Sequence, residues 1–292
     1  MTLFFCSDEL ISTQLNCINK KFIGYAEDEI QGILTSLGST KSFDYEQTLS
    51  PHSFVSNFWK FDRIINKMVS NLQSETHKEY IFFETLSGFN FKTISYLLSQ
   101  EPIQTLVNTK AENFMFLIDN INEYQFNTFF DIISYADVGF FGTTYYKWDT
   151  EYYNFIKTES ILSEAEDDII TLGKSSFYDI KLSNKNNLIS ENYQNHDIIY
   201  KRMVQWNMLS QYNMVCRMHG DFNRKCGQNI TMSFPNIDNS LMINNHFDNK
   251  WFIHTIRHII RTTTEYEQNI VLCKNSAFNN SVLRPISGNY SI

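Results

Sequence analysis

Residues 211–235 read QYNMVCRMHGDFNRKCGQNITMSFP, and this stretch decides the fold. It is a strand, a polar corner carrying Gly220, Asp221 and Asn223, and then a second strand that Gly227 releases and Pro235 ends. Glycines at such corners supply positive φ, and strands joined this way suit a small barrel closing on itself. Downstream, Trp251–Arg261 and Asn269–Lys274 are β-branched and aromatic and continue the all-β pattern. Upstream, Asp197–Tyr212 carries apolar residues at helical spacings, and Gln104–Asn108 and Phe114–Ile118 read as strands. Asn127–Tyr135 predicts a helix through Phe129, Phe130, Ile133 and Ala136, and Thr143–Trp148 an aromatic strand. The Asn-rich, charged Ser183–Asn195 predicts an exposed loop. Earlier still, Ile30, Ile33, Leu34 and Leu37 share one helical face within Asp28–Leu37, ahead of a terminating Gly38. Phe58–Leu72 repeats the pattern with Ile64, Ile65, Met68, Val69 and Leu72. Tyr80–Thr85 and Phe89–Lys92 form a hairpin about Ser87–Gly88, while Leu3–Cys6 is a bare strand with no partner before it. Helices gather in the first part of the chain and strands in the last, which predicts an α+β fold.

The chain has 292 residues, enough for two packed domains. Hydrophobic residues make up 42% and charged residues 19%, and only 10 Gly and 4 Pro occur, which excludes disordered and collagen-like classes. A net charge of −8 repels a phosphate backbone and disfavours a general nucleic-acid binder. No run of 18 apolar residues marks a membrane span, and the start lacks a basic flank or small-residue cleavage site. Cys6, Cys17, Cys216, Cys226 and Cys273 are odd in number and scattered, the pattern of reduced thiols rather than a disulfide or zinc framework.

Candidate chemistry is sparse. His254 and His258 stand four apart, the helical spacing of a shared metal, but WFIHTIRHIIR reads as a strand. Its alternation places Phe252, His254, Ile256, His258 and Ile260 on one face, as structural residues of a sheet. The run 163–168, SEAEDD, is a solvated helix end rather than a calcium loop. Glu84 and Asp119 are carboxylates in or beside apolar strands, with no sequence signal pairing them for acid–base work. Cys216 and His219 fall on opposite faces of one strand, a poor arrangement for a nucleophile and its base. No phosphate loop, serine-hydrolase elbow, zincin or dinucleotide motif occurs, so no catalytic, cofactor-binding or metal-binding residue is assigned and no cofactor is expected.

Several stretches, in order, resemble the central baseplate hub protein of contractile-tailed, T-even-like bacteriophages. They are FDYEQT (43–48), NFWKFDRIINKMVSN (57–71), YIFFETLSGFNFKTI (80–94), YYKWD (145–149), the opening stretch 211–235, WFIHTIRHIIR (251–261) and IVLCKNSAF (270–278). None is a catalytic motif; their order along the chain carries the likeness. The resemblance implies a homotrimer with two tube-type antiparallel β-barrels per subunit, giving a pseudo-sixfold ring. Such a ring matches a sixfold tail tube on one side and a threefold central spike on the other. The partners it implies are the tube protein, the spike protein and other baseplate proteins, and DNA passes through without specific binding. The protein would be a virion component of the tail baseplate, assembled in the host cytoplasm, with no membrane insertion and no enzymatic step.

Family members carry a first barrel ahead of the segment resembling Leu3–Ile11, so residues 1–24 are expected to be a remnant of it; either the reading frame is truncated or starts late, or this member builds its ring differently. On this reading 25–87 and 138–212 form an α/β outer docking domain, 88–137 and 213–278 the second barrel, and 279–292 a C-terminal tail. A related variant is the hub of a bacterial contractile injection system. A reading of another kind is a glycan-binding tail module using exposed Trp148, Tyr152, Tyr153 and Phe155, because aromatic faces stack on sugars.

Overall fold

A computed structural model describes residues 6–69, 72, 74, 79–108, 118–128, 132–149, 153–161, 185–189, 196–209, 212–233, 249–261 and 265–274. The fold is α+β and divides into two units: 1–100 with 131–170 and 181–207, and 101–130 with 171–180 and 208–292. The acidic run 163–168 and the tail 279–292 lie outside the described residues, as do Tyr152 and the side chains of Trp148 and Phe155.

In the first unit, α1 (Asp8–Leu15) starts where Ser7 Oγ accepts from the Leu10 amide at 3.2 Å, with Asp8 and Glu9 in its first turn. A cap and two acids facing the helix dipole favour this helix over continuation of a strand. The bare strand expected at Leu3–Cys6 lies, but for Cys6, outside the described residues, and the chain is helical from Asp8. β1 (Lys21–Gly24) pairs antiparallel with β3 (His52–Val55), α2 spans Ala26–Ser36, and Gly38 follows at φ +79°. β5 (Gly88–Thr93) is the central strand of a three-stranded sheet, antiparallel to β4 (Tyr80–Thr85) and parallel to β2 (Ser42–Tyr45). Gly88–Thr93, expected in the barrel segment, thus belongs to this sheet. Phe61, Ile64, Ile65, Met68 and Val69 of α3 (Phe61–Val69) are all buried, the i, i+3, i+4, i+7, i+8 stripe that drives an amphipathic helix onto a core. They pack with Phe22, Ile30, Tyr80 and Phe91. The short α4 (Ile94–Ser99) follows β5 directly, its first turn capped by Thr93.

The rest of this unit is α5 (Ile132–Val138), the hairpin β8 (Gly142–Asp149) and β9 (Asn154–Ile161), β10 (Lys185–Ile189), and most of α6 (His196–Leu209). β10 lies parallel to β8 at the edge of a three-stranded sheet, where an exposed loop is expected. An edge strand needs only one row of backbone partners and accepts polar residues, so its Lys and Asn mimic a loop in composition. Tyr200 of α6 donates to the Phe140 carbonyl at 2.8 Å, and Tyr135 to that of Asn207 at 3.0 Å, anchoring the helix.

The second unit is one six-stranded sheet of order β6 (Thr105–Val107), β12 (Asn229–Ser233), β13 (Asn249–Ile260), β14 (Tyr266–Lys274), β11 (Tyr212–His219), β7 (Ile121–Thr128). All neighbours are antiparallel except β6 and β12. The sheet curls until its edge strands meet: Val107 forms a parallel bridge with Asn120, its amide donating to the Asp119 carbonyl at 2.9 Å. Met214, Cys216, Met218, Ile230, Trp251, Ile253, Ile270 and Leu272 fill the interior. Where a helix is expected from Asn127, β7 continues to Thr128 and α5 begins only at Ile132. Pairing with β11 imposes a period of two and turns Phe126 toward the sheet's core.

β-Bulges sharpen the curl. One lies between Ile253 and Thr255, opposite Leu272 and Val271, and it inverts the side-chain parity of β13. Trp251 and Ile253 face inward before it and Ile256 after it, so the expected single face of Phe252, His254, Ile256, His258 and Ile260 does not form.

Candidate functional site

The barrel unit is organised at one end by a side chain that sequence reading passes over. The turn after β11 begins at Gly220, whose amide donates to the Tyr266 carbonyl at 2.8 Å, and Asp221 Oδ1 accepts from the Asn223 amide at 2.9 Å. This turn directs Arg224, 1% exposed, into the end of the curled sheet. Its Nε donates to Gln104 Oε1 at 3.1 Å, and its Nη1 to the His219 carbonyl at 2.7 Å and to Gln268 Oε1 at 3.0 Å. Its Nη2 donates to the Ile118 carbonyl, with Asp119 Oδ1 at 4.0 Å. One guanidinium thereby ties together the approaches to β6 and β7, the end of β11, and β14. Burial lowers the Arg224 pKa, and the fields of Asp221 and Asp119 oppose the shift.

Gln268 extends the network: Nε2 donates to the Asp221 carbonyl at 2.7 Å and to the Tyr266 hydroxyl at 3.0 Å. The Tyr266 hydroxyl lies 2.7 Å from His258 Nδ1, and Phe222, Tyr266 and His258 stack as a small aromatic pile. Phe222 is 58% exposed, so this end of the barrel presents an aromatic plate to solvent. Gly220 is required here by space, because a Cβ would enter the Tyr266 ring; Gly227, at φ +85°, is required by conformation.

The histidine gives this end a pH dependence. Burial depresses the pKa of His258, so the folded state binds fewer protons than the unfolded state, whose imidazole titrates near about 6.5. The resulting stability is present above that value and is lost as pH falls through the depressed folded value. His52, whose ring nitrogens are buried without a hydrogen-bond partner beside Phe54, is shifted the same way by burial. The expected result is a lower Tm at about pH 5.5 than at about pH 7.5, with a smaller drop in His258→Gln; scanning calorimetry of both proteins checks it.

The other sequence candidates are dispersed. His254 sits at the bulge, exposed, with Nδ1 2.7 Å from its neighbour Thr255 Oγ1, and no group of three metal-ligating side chains occurs among the described residues. Cys216 faces the apolar core, where burial raises its pKa, while His219 ends β11 in register opposite Glu267 of β14. Cys273 is likewise pushed up to about 12 by burial, so neither thiol is a ready thiolate. Asp119 accepts from Gln104 Nε2 at 2.6 Å and supports the barrel end. Glu84 lies in the first unit, holding Lys41 Nζ at 2.5 Å and the Ser7 hydroxyl at 2.8 Å. Lys41 also pairs with Glu9 at 2.7 Å, and its hydrogen bond holds the Glu9 carboxyl down to about 2. Tyr153, 78% exposed at φ +51°, stands in the turn before β9. Arg224 escapes sequence reading because its partners lie up to 120 positions away; the only local signal is an arginine inside the turn DFNR.

No protein-family description and no curated protein matches the sequence. Solved structures do match the fold. The crystal structure of the tail protein from Neisseria meningitidis MC58 superposes with a TM-score of 0.54 at 10% identity, covering 89% of this chain and 70% of that one. The 43 kDa tail protein of prophage MuSo2 from Shewanella oneidensis superposes with a TM-score of 0.55 at 11% identity, covering 93% and 72%.

Proposed function

We propose that this chain is a structural subunit of a phage-type tail, and within it a baseplate hub subunit that joins a sixfold tail tube to a threefold central spike. The observation that carries the reading is the fold, shared over most of their length with two prophage or bacterial tail proteins. The ordered stretches of hub-like sequence narrow it from tail protein to hub. A sheet that curls on itself and is locked at one end by a buried arginine is a stiff body suited to packing into a ring. A net charge of −8 suits a conduit through which DNA slides without adhering. The role requires no catalytic group, only rigid surfaces held in register with other tail components, in a virion tail. The hub of a bacterial contractile injection system is the same role in another particle, and neighbouring genes separate the two.

Native mass spectrometry of the purified chain, alone and co-expressed with the tube and spike proteins encoded beside it, tests the reading. A trimer in either preparation is the expected result. Monomer in both, up to a chain concentration of about 50 µM, would overturn the hub assignment.

A further inference from the structure

A second feature lies in the first unit. Between α3, β4 and α6 is a cavity of about 480 Å³. Its walls are apolar, formed by Ile65, Val69, Phe82 and Met203, and among the described residues Asn66 and Asn207 are its only amides. Trp206, 47% exposed, stands at the opening. Arg202 also lines it, one helical turn from Trp206 on α6. Arg202 is half-buried, and neither hydrogen-bonds nor pairs with any described residue.

A guanidinium removed from water without a counter-ion is costly, and the cost is recovered when a carboxylate engages its planar fork. One cation in a cavity lined otherwise by apolar and amide side chains among the described residues matches one carboxylate; a phosphate-binding site gathers more positive charge. The apolar walls and the half-exposed indole demand that the carboxylate arrive beside an apolar side chain, which a free small anion lacks. We propose that this cavity is a docking site for a partner protein's segment in which an Asp or Glu lies next to an aromatic or large aliphatic residue, the carboxylate meeting Arg202 and the apolar side chain filling the space against Phe82 and Met203. The inference stands apart from the tail reading and does not depend on it.

The test is selection of a twelve-residue peptide display library on the full chain, wild type and Arg202→Met in parallel. Because Arg202 has no partner to lose among the described residues, the variant is expected to melt at the wild-type temperature. Wild type is expected to enrich peptides with Asp or Glu beside Phe, Leu, Ile or Trp, and Arg202→Met is expected not to. In fluorescence anisotropy, changing the acid of an enriched peptide to its amide should weaken binding to wild type about tenfold, with little change for Arg202→Met. No consensus on wild type, or the same acidic consensus on Arg202→Met, would overturn the proposal. Equal affinity for free 3-phenylpropionate would also overturn it, making the cavity a small-carboxylate site. None of these outcomes moves the oligomeric state measured by native mass spectrometry, so the two readings fail separately.

Discussion

Replacing Arg224 with methionine is expected to destabilise the barrel unit by about 3–5 kcal/mol. Methionine fills much of the same space, so the loss is polar in origin. It leaves the Ile118 and His219 carbonyls and the Oε1 atoms of Gln104 and Gln268 without the donor they now share. Each unsatisfied buried acceptor costs about 1–3 kcal/mol, and some are recovered by water entering at the barrel end. Lysine should rescue little, because one ammonium cannot span four acceptors arranged around a planar fork. Denaturant unfolding measures the loss, and amide hydrogen exchange locates it. Protection should fall in β11 and β14 while the amides of α2 and α3 keep theirs. Wild-type stability in Arg224→Met would mean that the backbone bridge at Val107 and Asn120 closes the sheet without help.

A second large effect is expected at Gly88. This residue opens β5 at φ +141°, where L-residues rarely go, and it lies opposite Ser42 of β2 in a parallel pair. A Cβ there would run into the backbone carbonyl and hydroxyl of Ser42, and that hydroxyl donates to the Ser87 carbonyl at 2.7 Å. Backbone strain and overpacking each cost about 1–3 kcal/mol, so Gly88→Ala should lose about 3–5 kcal/mol. The control is Gly32→Ala. Gly32 lies in α2 with open space where a Cβ would go, and alanine there should stabilise by about 0.5–1 kcal/mol through helix propensity. Urea unfolding of the two variants is expected to give changes of opposite sign.

The elements legible in the sequence are those whose signal is local and periodic. The α3 stripe, the β4–β5 hairpin and the opposite facing of Cys216 and His219 on β11 each follow from one chain segment with one period. The elements that escaped are those made by pairing. β10 is polar in composition and becomes a strand only because β8 offers it a row of backbone partners. β7 extends through a stretch of helical spacing because β11 holds it in register. The parity change in β13 needs one extra residue at His254, and alternation alone cannot locate a bulge. The same holds for the candidate sites: Glu84 and Asp119 looked alike in sequence, and their surroundings make one a surface tie to Lys41 and the other a support for the barrel end.

By itself the sequence determined the class of this protein: strands rich enough to curl into a barrel in its last third, amphipathic helices on a small sheet before it, and no catalytic motif. Those properties depend on neighbours within a turn of helix or a few residues of strand. Only the tertiary structure decided where the barrel closes, that Arg224 locks it, and that Arg202 faces an apolar cavity without a counter-ion among the described residues. A hydrogen bond from residue 224 to residue 104, or the placing of residue 202 beside Phe82, is a relation between segments that meet only after the chain has folded.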